Sequence, residues 1–146
     1  MRTLRILLIG CMAMVMSSCA AGKKSAAGFH LPDGDPVKGK EAFIALKCHT
    51  CHQVANMQLP AETLAIPRPI LLGGETLYVR TDGELVTAIV DPSYQLAQGY
   101  SKDVMSLDGR SRMHDYGQEL TVRQLIDLVS FLQSRYRIVP PPTSTY

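Results

Sequence analysis

Five consecutive residues, Cys48-His49-Thr50-Cys51-His52, constrain this chain more than any other stretch. They match the Cys-x-x-Cys-His signature of covalent haem attachment. Each position has a chemical job: two thiols add across two vinyl groups to give thioethers, and the adjacent imidazole reaches the iron from one face. Three bland readings compete with this one. A zinc half-site would want four ligands in all, and the other two cysteines, Cys11 and Cys19, fall in a segment that reads as a leader. A dithiol redox catalyst would need a βαβ context, and no such alternation of strand and helix patterns is visible. The third is an accidental match.

The chain has 146 residues, enough for a single small domain once the leader is set aside. A core of that size organises itself weakly, so a bound porphyrin would act as an apolar core body around which short helices pack. The N-terminus reads as an export signal over residues 1–18, with Arg2 and Arg5 ahead of the apolar run Ile6 to Met16. That run is too short to span a bilayer. Met16-Ser17-Ser18-Cys19 resembles a bacterial lipobox, with Met16 where Leu is usual and Ser18 where Gly or Ala is usual. Cys19 is therefore the candidate lipidation site, and cleavage after Ser25-Ala26-Ala27 is the alternative. Ala20 rather than Asp after Cys19 favours an outer-membrane destination in a cell that has one. With Cys48 and Cys51 assigned to haem, Cys19 to lipid and Cys11 to the leader, no pair is left for a disulfide.

Charge excludes little. Removing Arg2 and Arg5 from the 15 Lys and Arg leaves as many basic as acidic residues, the chain having 13 Asp and Glu. No basic stripe with interleaved aromatics supports nucleic-acid binding. Residues 19–34 are small, polar and aperiodic, and read as a flexible linker, with His30 a solvated member of it. About 15 flexible residues span roughly 20–23 Å r.m.s.. Residues 35–137 form the predicted domain, and residues 138–146, with Pro140-Pro141-Pro142, form a tail that favours an extended polyproline form.

Asp35-Pro36 predicts a helix start, the aspartate capping free N–H groups and the proline occupying the first helical position. The helix is expected to run to about Lys47, with Gly39 marking a close backbone crossing. Thr81-Asp82-Gly83-Glu84 and Thr121-Val122-Arg123-Gln124 are capping boxes for two further helices. The second of these presents Val122, Leu125, Ile126, Val129 and Leu132 on one face. Pro60, Pro67, Pro69, Gly73 and Gly74 break up the stretch from Gln53 to Val79, which reads as an irregular loop.

Gly39-Lys40-Glu41-Ala42-Phe43 followed by the haem motif, together with Leu128-Val129-Ser130-Phe131-Leu132 in the last helix, resembles the class I cytochromes c over about Asp35 to Tyr136. The resemblance implies an all-α fold, short helices and loops wrapped around one covalent haem, with first and last helices packed together at a small residue. It implies His52 as proximal iron ligand and a methionine as the sixth. Met113, eight residues before Thr121, stands where the family's axial methionine lies, and Met113-His114-Asp115-Tyr116 resembles its Met-Pro-x-Tyr segment with His114 in place of proline. Met105 and His114 are the alternatives, and an open site is a third. Met57 is tied to the proximal side. The family's proline carbonyl that accepts the far proton of the haem histidine falls on Pro69, with Pro60 and Pro67 as alternatives. Tyr100 and Tyr116 are candidate donors near the haem, and Arg110 and Arg112 candidate propionate partners.

The function so implied is one-electron transfer between periplasmic or membrane redox proteins, without a small-molecule substrate and with a lipid anchor to the membrane. Two rivals remain: an electron-transfer subunit of a periplasmic oxidoreductase, and a ligand-binding or catalytic haem protein with an open distal site.

Overall fold

The computed structural model describes residues 29–139. The leader, Cys19 and the tail from residue 140 lie outside the described residues. Helix α1, Pro36–Ala45, begins as its cap residues require: the Asp35 carboxylate accepts from Val37 N–H at 2.9 Å and Lys38 N–H at 3.3 Å, and proline takes the first turn. It ends two residues earlier than expected, because Lys47 turns into the left-handed region at φ 57°. Helix α2, Asp82–Val90, carries the Thr81/Glu84 capping box and stops at Asp91. A single turn, α3, spans Lys102–Met105. Helix α4, Val122–Gln133, carries the Thr121/Gln124 box.

The core forms where α1 crosses α4. A Cβ placed on Gly39 would lie 2.0 Å from the Asp127 carbonyl oxygen and 2.6 Å from Phe131 Cβ, so only glycine lets the two backbones meet there. Phe43 and Phe131 stack at a tilt across the same contact, ring centroids 5.6 Å apart. The cluster continues through Ala42, Val54, Leu85, Ile89, Leu128, Val129 and Leu132. The buried face of α4 is wider than its periodicity suggests, taking in Asp127, Leu128 and Phe131, while Val122 is exposed. The reason is that α4 packs against both α1 and α2. Asp127 is itself satisfied, its carboxylate accepting the Asp35 N–H at 2.8 Å.

The all-α expectation is overturned. Among the described residues six short strands accompany four helices, and the fold is mixed α and β. Strand β1, His52–Val54, pairs in parallel with β2, Ile70–Leu72. Strand β3, Gly74–Thr76, pairs in parallel with β6, Tyr136–Ile138, which follows α4 directly. Strands β4, Ser106–Leu107, and β5, Arg110–Ser111, form a hairpin whose turn residues Asp108 and Gly109 both take positive φ, 49° and 79°. The prolines and glycines of the linking stretch do exclude helix, but partly buried backbone still needs partners for its N–H and C=O groups. Parallel pairing between segments far apart in the chain supplies them.

The first described residues are tied to the domain. Leu31 N–H donates to Asp82 at 3.1 Å, and Ser130 Oγ donates to the Gly34 carbonyl at 3.0 Å. Gly34 lies so close to α4 that a Cβ there would sit 2.6 Å from the Ile126 carbonyl oxygen. Residues 31–34, at the end of the expected linker, thus strap the start of α2 to α4.

Candidate cofactor-attachment site

The left-handed Lys47 turns the chain sharply out of α1 into a 3-10 turn over Cys48–Thr50. The turn is closed by Thr50, whose N–H and Oγ1 both donate to the Lys47 carbonyl at 3.0 Å and 2.9 Å. It leads directly into β1, so the two cysteines and His52 are held between a helix end and a paired strand. Beside this turn lies a narrow cleft, open at its mouth, with a free volume of about 90 Å³. Its walls are nearly all apolar: Phe43 from α1 and Leu46 just past its end, Leu85 and Ile89 from α2, Leu128 and Leu132 from α4. Of the candidate site residues, Cys48, His52, Met113 and Tyr116 line it.

Burial pushes the Cys48 thiol up to about 11, against a smaller opposing effect of a hydrogen bond with Tyr116. The thiol is therefore protonated at neutral pH. Burial pushes His52 down to about 4, with the backbone of Ile70, its partner in the β1–β2 pair, acting the other way. The residue as a whole keeps some surface, yet its Nδ1 is sealed from solvent and has no partner at hydrogen-bond distance. A neutral imidazole of this kind is the form that ligates a metal. Tyr116 donates its hydroxyl proton to the Leu46 carbonyl at 2.8 Å, tying the segment that carries Met113 to the end of α1. Its phenol is pushed far above the usual range, by burial first and then by Cys48.

The candidate sixth ligands separate clearly. Met113 is half-buried and lines the cleft, held by its N–H donating to Ser111 Oγ at 3.1 Å. Met105 is buried at the end of α3 and is not on the cleft surface. His114 points to solvent and to Glu119, 2.7 Å from Nε2 to Oε1. Met57 packs on the edge of the core cluster. Cys51 is half-buried and stands off the lining, its Sγ 3.9 Å from Thr50 Oγ1. The Pro69 carbonyl accepts from Tyr100 at 3.3 Å, and the backbone acting on His52 is that of Ile70. Pro60 and Pro67 are exposed. Arg110 is exposed, and Arg112 donates to the Asp103 carbonyl at 3.3 Å. His30 faces Asp82 at 3.9 Å.

One buried group carries no sequence signal. His49, between the two cysteines, is sealed with both ring nitrogens unpartnered, and its Nε2 is 3.7 Å from Glu62. Nothing short-range distinguishes a buried residue from an exposed one at the variable positions of the motif. Glu62 belongs to a loop that Ala65 pins beside the motif by donating to the Thr50 carbonyl at 2.9 Å.

The donor set fits a porphyrin iron. The cleft lies directly beside the turn of residues 48–52. It is apolar, and it offers a thiol, a neutral imidazole and a thioether. Among the described residues no three His, Cys, Asp or Glu side chains converge on one point. Comparison of the chain with protein-family models, with curated proteins and with solved structures gives no match.

Proposed function

We propose that this chain carries single electrons on one covalently attached haem, held by Cys48 and Cys51 and ligated by His52 and Met113. One observation supports the reading above all others. His52 and Met113, far apart in the chain and contributed by unrelated segments, line the same apolar cleft together with Cys48. Bound there, the haem would supply a one-electron couple whose potential a thioether ligand raises. The chain's own contribution is to hold a neutral imidazole, to exclude water with the walls from α1, α2 and α4, and to fix the Met113 segment through Tyr116. Cys19 is the proposed lipid anchor, which makes the protein a periplasmic, membrane-tethered carrier. Its partners would be redox proteins on either side of the transfer.

The test is haem-stained denaturing electrophoresis of protein made in a cell competent for covalent haem attachment. Wild type should keep its haem and the Cys48→Ser/Cys51→Ser double variant should keep none. Haem that stays bound to the double variant after denaturation sinks the attachment site.

A further inference from the structure

Exposed apolar side chains scattered singly need no explanation, but one group here is contiguous. Leu77, Tyr78 and Val79 follow one another at 55%, 72% and 62% exposure, and no other three consecutive large apolar side chains are exposed among the described residues. Their turn is closed on itself: Tyr78 N–H donates to Thr76 Oγ1 at 3.2 Å, and that hydroxyl donates to the Tyr78 carbonyl at 3.2 Å. Two further segments meet it. Ile138 is also exposed and pairs with Thr76 in the β3–β6 register, and Val139 N–H donates to the Thr76 carbonyl at 2.9 Å. From the N-terminal side, Leu31 N–H donates to Asp82 at 3.1 Å, just past the same turn, which brings in the exposed Phe29 two residues earlier.

We propose that this face, formed by Phe29, residues 77–79 and Ile138, rests on an anionic phospholipid surface and sets how the tethered domain stands on it. The proposal rests on the reading of Cys19 as the lipid anchor. Only residues 19–28 separate that anchor from Phe29. A stretch of that length reaches at most about 36 Å, roughly one diameter of a domain this size, so the anchor draws the edge that carries Phe29 toward the bilayer. Charge favours lipid as the occupant. Lys23 and Lys24 lie between Cys19 and Phe29 with no acid among them. Arg80, next in the chain to Val79, is exposed, its guanidinium 5.8 Å from the Tyr136 ring centroid, whereas Arg137 is already matched to Glu75. Apolar side chains with a tyrosine among them and cations at the margin suit the headgroup boundary. The face is a weak binder by itself, since stable attachment takes two signals, which agrees with a Cys19→Ala protein that leaves the membrane fraction of a dilute lysate.

Two measurements on the full mature chain test it. The first is co-sedimentation of Cys19→Ala, made behind an ordinary cleavable export signal, with phosphatidylcholine vesicles that contain or lack phosphatidylglycerol, at high lipid concentration. Binding should require phosphatidylglycerol. Adding Leu77→Ser/Tyr78→Ser/Val79→Ser should lower the partition coefficient about tenfold or more, with the melting temperature unchanged because the three side chains are exposed. The second is hydroxyl-radical footprinting of the lipidated wild type on those vesicles against Cys19→Ala in solution. Tyr78 should be protected on the vesicles, while Tyr94, 75% exposed and beyond the other end of α2, should react equally in both. Vesicle binding that the serine substitutions leave unchanged, or Tyr78 oxidised equally in the two states, overturns the inference. Self-association of Cys19→Ala that the same substitutions abolish, without any vesicle binding, also overturns it and gives the face to a second copy of the chain. A wild type that carries no lipid by mass spectrometry removes the anchor reading instead, and co-sedimentation still decides whether the face binds lipid.

Discussion

Replacing Gly39 with alanine is the sharpest test of how this fold is held together. Atoms in contact sit comfortably at roughly 3.5–4.0 Å, and the new methyl would meet the Asp127 carbonyl oxygen at 2.0 Å, its carbon at 2.6 Å and Phe131 Cβ at 2.6 Å. Two of those atoms are backbone of α4, so no side chain can swing away to make room. The helices must part by more than about 1 Å, which also loosens the Phe43–Phe131 contact; overpacking of this severity costs about 3 kcal/mol or more. Alanine returns about 1 kcal/mol through its better helix propensity. The net loss is about 2 kcal/mol or more. For a domain of this size, with m of roughly 1.5 kcal/mol/M in urea, the midpoint should fall by about 1 M or more with m unchanged. Because Leu128 and Leu132 on α4 also line the cleft, on the proposed haem reading the same change should broaden the absorption spectrum of the haem-loaded protein. The control is Gly109→Ala, where nothing lies within 4 Å and only the positive φ of 79° is at issue, so the loss should stay near about 1 kcal/mol. A Gly39→Ala protein no less stable than Gly109→Ala would refute the close-crossing argument.

Two further substitutions address the site and the anchor. Met113→Ala should lower the reduction potential and let the reduced protein bind carbon monoxide, because the soft ligand that favours Fe(II) is gone. Met105→Ala should leave the potential in place and cost about 2–5 kcal/mol of stability, since Met105 is a buried core residue; titration and urea melts of both variants check the pair, and the reverse pattern would reassign the ligand to Met105. Cys19→Ala should move the protein from the membrane to the soluble fraction on cell fractionation, and equal solubility of variant and wild type would remove the lipid anchor.

What the sequence made legible is local. Asp35-Pro36 and the capping boxes at Thr81 and Thr121 mark helix starts because a cap is read by neighbours three residues away. The small residue at Gly39 signals a close crossing for the same reason, its cost inside a helix demanding a compensation nearby. The strands were not legible. Each is two or three residues long and gains its pairing from a segment distant in the chain, as His52–Val54 does from Ile70–Leu72, so no alternation precedes it and the breaker-rich stretch reads as loop. Burial was misread where tertiary contact overrides periodicity: Val122 sits on the expected apolar face and is exposed, whereas Asp127 is buried because it serves the start of α1. At the site, the resemblance to the class I cytochromes c pointed to Met113, and in the structure Met113 lines the cleft whereas Met105 is buried away from it.

The crossing of α1 with α4 also sets an order of events during synthesis. Cys48 and Cys51 follow α1 at once, whereas the helix that α1 packs against is among the last parts of the domain to be made. Chains grow N-terminus first at roughly 5–20 residues per second, so for several seconds both thiols exist in a chain that has no partner for α1. Leu128 and Leu132, which wall the cleft beside Cys48 and His52, are missing throughout that interval. On the proposed haem reading, the two thiols would be open to a large planar reactant while α4 is missing, and the arrival of α4 would close the walls over the joined group. A circular permutant that placed α4 ahead of α1 would lose this interval.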